Sequence, residues 1–443
     1  MATDPHALAE QVLSLVGDRA EAQVRATRRR NGLTRFANSA IHQHVGEDVT
    51  SLELLVVRDG RVLQLATTRT DPDTLAGFVD HAVEALGQAP VDATWPGFAP
   101  DEPQPDTTDV EPDPDATPEA RAEVVAAFVD ADRGGEAAGY CETLDEDVVL
   151  AATTGRVRRG RATRATVDGI LRTPTSAGSG HMTGHRLAEL DGAAAGADAA
   201  GLARRGEDPG DVEPGRYEVV LSPEAVATIA VFLGVYGFNA RAVAEGRAPL
   251  APGDASFDPA FGLVSDPTDA RALDLPFDHE GTDRVALPLV IDGRVAGLAH
   301  DRRTAAATDT ASTGSHGPWS ARMGPVPTSL FVAPGTSSPE QLVGDVERGL
   351  LVTAFNYCRV LDGKSLVVTG LTRNGTFLVE DGRVMRPLGN LRFTQSFTAA
   401  VAPGAVLGVG DDARHADAEF GPGLAHVPSL RLASLNVTGG QSG

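Results

Sequence analysis

The residues of this 443-residue chain that could do chemistry are its histidines, two cysteines and scattered carboxylates. His181-Met182-Thr183-Gly184-His185 sets two imidazoles at i and i+4, the spacing that would bring both to one helix face and could grip a metal. Gly178, Gly180 and Gly184, with Ser179 and Thr183, are poor helix formers, so residues 178–184 read as loop or small-residue helix rather than as a metal site. His279-Glu280 stands in PFDHEGTDR, but the next histidine is His300, so the spacing is not that of a metalloprotease HExxH. His415 and His426 keep company with Asp411, Asp412, Asp417 and Glu419. A hydrated, solvent-facing loop is the expectation there, a weak metal or partner contact the alternative. Residues 101–115 hold seven acids (Asp101, Glu102, Asp106, Asp109, Glu111, Asp113, Asp115) and no Lys or Arg. Their prolines and lack of glycine do not fit a calcium loop, so a solvated crossing segment is expected. Cys141 and Cys358 form no CxxC and no disulfide framework, which fits a reducing cytoplasm. Cys358 follows Tyr357 in a strand pattern and reads as inert packing. There is no GxSxG elbow, and residues 176–180 read as a flexible loop. Gly408-Val409-Gly410 lacks the third glycine and following helix of a dinucleotide loop.

The elements that must position these residues are spelled in two recurring ways. Helix starts appear at Asp4-Pro5, Asp71-Pro72, Thr117-Pro118-Glu119, Ser222-Pro223-Glu224 and Ser338-Pro339-Glu340. In each, a side-chain oxygen can cap free N–H groups and the proline has no N–H to leave unpaired. Apolar stripes follow: Leu8, Val12, Leu15 and Val16; Leu75, Phe78, Val79, Ala82, Val83 and Leu86; Val124, Val125, Phe128 and Val129. The helix after Ser222 is apolar nearly all round and should be buried. The helix after Ser338 is expected to run to Gly349. Hairpin turns are expected at Asp59-Gly60, Asp292-Gly293, Asn374-Gly375 and Asp381-Gly382, dipeptides that supply the positive φ angles tight turns need. Strand-like runs lie at 147–152, 161–171 and 216–221, and residues 348–397 read as a β-meander. Residues 191–203 read as loop or small-residue helix.

Composition narrows the function classes. The formal charge of −23 opposes nucleic-acid binding, which needs clustered Lys and Arg. The five arginines at 156, 158, 159, 161 and 164 fit the polar face of a strand. No window approaches a membrane span, and the N-terminus carries acids where a signal peptide would be basic. A soluble, cytoplasmic protein without nucleic-acid or membrane partners is expected.

GLTRFANSAIHQHV near the N-terminus, with GLLVTAFNYCRVLD, TGLTRNGTFLVEDG and NLRFTQSF near the C-terminus, resembles the TldD/PmbA family, and its PmbA (TldE) branch more than its metal-bearing TldD branch. The resemblance implies an α+β fold, with an N-terminal α/β region followed by a C-terminal domain rich in antiparallel strands. With the composition breaks, it suggests an N-terminal domain at 1–88, an acidic Pro-rich linker at 89–116, a middle α/β domain at 117–206, a linker at 207–215 and a β-rich domain at 216–443. The TldD branch carries an HExxxH zinc motif on a helix after a strand of the VVLSPEAV kind, its two His facing the metal and its Glu acting as general base. The corresponding window here, 219–243, holds no histidine. Aligned on Gly237, the positions of His, Glu and His are taken by Leu233, Gly234 and Phe238. The Cys that the metal branch uses near its C-terminus is missing from 408–428.

The family therefore implies a chain with no catalytic residues and no metal of its own. It would be the subunit of a heteromeric peptidase that shapes the peptide cavity for a zinc-bearing, HExxxH-type partner. Peptide maturation or degradation is the implied process, including modified peptide natural products. PFDHEGTDR resembles the family's D-x-EG-T element, with a role expected to be structural or at the substrate groove. The Gly/Ser/Thr-rich segment 307–335 resembles the stretch beside the family's cleft, and Ser312, Thr313, His316 and Trp319 are its candidate peptide contacts. Two alternatives stand: a stand-alone homo-oligomeric peptide-binding or scaffold protein, and an enzyme with repurposed chemistry at Cys358 or the histidines.

Overall fold

The computed structural model of the chain describes residues 4–104, 110–113 and 116–440. Of the acidic run, Asp106, Asp109 and Asp115 lie outside the described residues, as do residues 1–3 of the N-terminus. Asp4 caps α1 (Pro5–Val16) by accepting from the backbone N–H of His6 and Ala7. Strands β1 (Glu21–Ala37), β2 (Ala40–Arg58) and β3 (Arg61–Thr67) follow, then α2 (Pro72–Leu86), α3 (Pro118–Asp130), β4 (Glu136–Ala152), β5 (Val157–Arg172), β6 (Ala177–Gly184) and α4 (Gly192–Arg205). Among the described residues these strands form one antiparallel sheet in the order β3-β2-β1-β4-β5-β6. Regions 1–88 and 117–206 thus share a sheet, joined where β1 pairs with β4. Leu8, Val12, Leu75 and Val79 of α1 and α2 cover one part of it, and Val125, Phe128, Ala195 and Ala199 of α3 and α4 cover another.

Two readings of this half need correction. Residues 178–184 are not loop or helix but strand β6. Its glycines let α4 approach: a Cβ on Gly178 or Gly180 would collide with the Ala199 or Ala195 carbonyl. Nor do the five arginines at 156–164 all lie on the polar face of a strand. Arg156, just before β5, and Arg158 are 2% and 1% exposed at their side chains and reach into the C-terminal half.

That half begins with β7 (Gly215–Leu221) and α5 (Pro223–Phe232). It continues through β8 (Leu263–Ser265), β9 (Leu287–Ile291), β10 (Arg294–Val295), β11 (Leu330–Val332), β12 (Arg348–Asp362), β13 (Val367–Glu380), β14 (Arg383–Pro387), β15 (Leu391–Ser396), β16 (Val406–Val409), β17 (Arg414–Ala418), β18 (Gly421–Val427) and β19 (Leu430–Gly440). Strand β12 pairs with both β7 and β13, and β13 pairs with β15, β15 with β19 and β19 with β7, so these strands close into a barrel. A second sheet runs β10-β9-β8-β11-β18-β17. Helix α5 is wedged between the two, and every one of its residues but Glu224 is buried. The architecture is α+β, with the antiparallel strands of the second half packed around α5.

Asp59-Gly60, Asp292-Gly293 and Asp381-Gly382 each make a two-residue hairpin turn with φ positive at both positions. Asn374-Gly375 does not turn the chain. It lies inside β13, where its positive φ angles accompany a register shift opposite Val352 and Ala354, a bulge in the barrel wall. Ser222 makes no side-chain cap bond. The helix after Ser338 spans only Pro339–Gly344, because Arg348 already begins β12. Residues 408–428 are mostly hairpin β17–β18 rather than loop. Among the described residues no helix is long and apolar enough to cross a membrane.

Candidate functional site

The window that could carry a metal motif folds into α5 and the turn that ends it. The Phe238 N–H donates to the Leu233 carbonyl at 3.0 Å, a five-residue step. On an α-helix, positions five apart would point about 140° away from each other. The wider π-turn brings residues 233 and 238 toward one face, the arrangement a pair of ligands at that spacing needs. Here that face is filled with carbon. Leu233 and Phe238 are fully buried, and Phe238 stacks on Phe257 with ring centroids 5.8 Å apart. A Cβ on Gly234 would already press on Leu330 and Pro327. Leucine, glycine and phenylalanine offer no lone pair and no proton, so these residues do not fit a zinc ion.

A cleft of about 990 Å³ lies between the first sheet and the C-terminal half. Its floor comes from β1 (Gln23, Arg25), β2 (Glu53, Leu55) and β3 (Val62, Gln64, Ala66). The crossing segment forms one wall. Residues 101–103 are exposed, in keeping with the solvated crossing segment expected at 101–115, but before them Phe98 and Ala99 are buried and the chain is tied down by arginines. Arg302 Nη2 donates to the Phe98 carbonyl at 2.8 Å, and Arg303 Nη2 meets Asp92 Oδ2 at 2.6 Å.

The opposite wall carries the chemistry. In DHEGTD, the Asp278 carboxyl accepts from the backbone N–H of Glu280, Thr282 and His316 at 2.9, 2.9 and 3.0 Å. Those bonds fold the loop so that His279 and Glu280 face the cleft. His279 Nδ1 stands 3.9 Å from Glu53 Oε2 across the domain boundary. His316 Nδ1 lies 3.5 Å from Glu280 Oε1 and 3.7 Å from Asp301 Oδ2. Burial raises the Asp278 carboxyl and pushes Glu280 up to about 7, against the pull of the His316 charge. Burial works against Asp301 too, but His316 and the Thr304 hydrogen bonds hold it at about 2. Burial opposes a charged His316, yet Asp301, Glu280 and Asp278 together raise its pKa. The wall is thus a set of proton-holding groups with pKa values pushed apart.

Of the candidate peptide contacts, His316 lines the cleft. Ser312 and Thr313 stand behind it, their hydroxyls donating to the His300 carbonyl at 3.2 and 3.1 Å. Trp319 is 41% exposed, its indole against Gly317. Glu53, Glu280 and Asp301 were not singled out by spacing. In the sequence, this wall is indicated by the resemblance of PFDHEGTDR to the family's D-x-EG-T element, whose role is expected to be structural or at the substrate groove.

The other histidines are placed apart from the cleft. His181 is a buried strand residue whose Nε2 shares a hydrogen bond with the Thr183 hydroxyl at 3.0 Å, and burial lowers its pKa to about 3. His415 and His426 are cross-strand neighbours in β17–β18, ring centroids 5.1 Å apart. Among the described residues no group of three or more His, Cys, Asp or Glu is placed to hold a metal ion. Both thiols are buried, and burial pushes Cys141 up to about 12 and raises Cys358 as well.

Comparison with known proteins agrees with this architecture. The family profile described as the PmbA/TldA metallopeptidase C-terminal domain matches residues 214–439, half of the chain. The chain belongs to the PmbA/TldD family. No curated protein matches it. Among solved structures, TldE from Thermococcus kodakarensis superposes with a TM-score of 0.84 at 16% identity, covering 98% of this chain and 99% of that one. A proposed modulator of DNA gyrase from Thermotoga maritima gives 0.83 at 17% identity, with 98% and 100% covered. A second such protein, from Bacteroides thetaiotaomicron, gives 0.82 at 16%, with 99% and 100% covered. At these identities the likeness is one of fold, and it spans both halves of the chain.

Proposed function

We propose that this chain is the PmbA/TldE-like, non-metal-binding subunit of a heteromeric TldD/TldE-type metallopeptidase that processes or degrades peptides. In that assembly it shapes the substrate cavity, and an HExxxH-bearing partner holds the zinc. One observation carries the reading: the turn that could align two ligands is built from Leu233, Gly234 and Phe238 and packed into the core. Cleavage needs a group that polarises the carbonyl or activates water, and that face supplies neither. The cleft, with its perturbed carboxyls and imidazoles, is where this chain would contact the peptide.

Reconstitution tests this. The chain and a TldD-like protein from the same cells are mixed with an unstructured peptide and zinc, and cleavage is followed by mass spectrometry. Activity should need both chains and vanish when the Glu of the partner's HExxxH is changed to Gln. Cleavage by this chain alone would overturn the proposal. A homo-oligomeric scaffold would bind peptide without requiring the second chain. Repurposed thiol chemistry has no support in the geometry, since both sulfurs are buried and hard to ionise.

A further inference from the structure

Strand β2 outruns the strand that covers it. Its pairing with β3 ends where Leu52 meets Thr67, so residues 40–51 have β1 on one side and, among the described residues, no strand on the other. The Asp59-Gly60 turn makes Arg58 and Arg61 a hydrogen-bonded pair, and the alternation of an antiparallel ladder then fixes which way each residue faces. From residue 43 to residue 57, odd-numbered positions of β2 turn N–H and C=O toward β1, while His44, Gly46, Asp48 and Thr50 turn theirs outward. Among the described residues no backbone bond closes on those four outward positions. Residues 40–44 and 46–49 are exposed, and no proline or lysine between 40 and 51 guards the edge.

The side chains along this edge indicate what fits it. Arg35 of β1 and Glu47 of β2 are exposed on the same face of the sheet, and neither has an ion pair or hydrogen bond among the described residues. Between them on that face lies a half-buried apolar row, Leu33 beside Val45.

We propose that the free edge of β2 pairs antiparallel with the same edge of a second copy of this chain, about a twofold axis at Val45. Unbonded N–H and C=O groups along a strand are matched by another strand, and this register matches the side chains too. The Val45 side chains of the two copies meet at the axis, flanked by both Leu33 side chains. His44 faces Gly46 of the other copy, with outward N–H and C=O groups on each. Gln43 faces Glu47 of the other copy, and Arg35 lies one strand further back in the same row. Two strand spacings set its Cα about 10 Å from that of the opposing Glu47, within the combined reach of the two side chains. The twofold makes this ion pair twice. The inference goes beyond the peptidase reading: it needs neither zinc nor a partner of another kind, and a metal-free pair of this chain is compatible with a complex that also holds one.

Sedimentation velocity on the full, metal-free chain tests it. At micromolar concentration the wild type should run as a dimer of the 45.9 kDa chain. Gly46→Pro removes an outward N–H that no bond within the described chain uses, and a side-chain atom there meets nothing within 4 Å. That variant should be monomeric with an unchanged Tm. Arg35→Glu and Glu47→Arg should each weaken the dimer about tenfold, and an equimolar mixture of the two variants should restore it, because opposite charges then meet again across the axis. Val45→Cys should form an interchain disulfide under mild oxidation, both native thiols being buried, and this readout stands if Gly46→Pro does not fold. A monomeric wild type overturns the proposal. So does a dimer that Gly46→Pro leaves intact and Val45→Cys does not cross-link.

Discussion

Asp417 is a residue whose protonation should be visible in the stability of the whole chain. It sits on β17 facing Asp168 of β5 and Glu224 of α5. Burial first, then the charges of Asp168, Glu224 and Glu419, push it up to about 7. Asp168 is raised to about 6 for the same reasons, burial and Glu224. A carboxyl whose folded pKa lies above its unfolded value holds a proton that the unfolded chain releases. Its contribution is full below about pH 4 and lost as pH rises through 7. Asp417→Asn cannot ionise, so it should raise Tm by about 2–4 °C at pH 8 and leave Tm unchanged at pH 4. Equal shifts at both pH values would show that repacking, not charge, is responsible. Nothing at residue level in the sequence announced this: Asp417 lies among other acids in a stretch that reads as hydrated loop. Its burial comes from elements such as β6 and α5, roughly 190 to 240 positions away in the chain.

At the scale of elements, what the sequence spelled locally came through. Pro-led helix starts and Asp-Gly turns depend on φ angles and unpaired N–H groups within four residues, and the structure uses them as read except at Ser222, whose side chain makes no cap bond. Asn374-Gly375 has the same local chemistry but serves a bulge, because β13 must continue to pair with β12 around the barrel. The glycines of β6 were legible only as flexible, since their purpose is the approach of α4. The π-turn after α5 was invisible to periodicity, yet it explains why residues 233 and 238 matter as a pair. Restoring imidazoles there tests whether the surrounding core has closed over the site. The double variant Leu233→His, Phe238→His should lose about 3 kcal/mol or more of stability in urea unfolding and take up no zinc by elemental analysis. A stable variant with one bound zinc would mean the turn is open to ligands and metal.

The whole molecule is held across its two halves by buried arginine. Arg158 grips Asp283 with two bonds, Nε to Oδ1 at 2.6 Å and Nη2 to Oδ2 at 2.8 Å, and Arg156 joins the same carboxylate at 3.3 Å. These pairs fix DHEGTD against the first sheet and so hold the cleft's two sides in register. Asp283→Ala leaves two nearly buried guanidiniums short of a partner and should cost about 3 kcal/mol. Limited proteolysis should then cut within residues 89–104, where the wild type resists. The cleft itself could not be read from the sequence, because it assembles separate short stretches spread from Gln23 to Ala321 that only the fold brings together. The family was legible from short motifs at both ends, and with it the absence of histidine from the motif window. The central claim concerns the assembly that this absence implies. Native mass spectrometry of the chain purified from its own cells measures it most directly. The account predicts a complex with a second, HExxxH-bearing chain in which zinc stays with that chain after dissociation. A homo-oligomer of this chain retaining stoichiometric metal would contradict it.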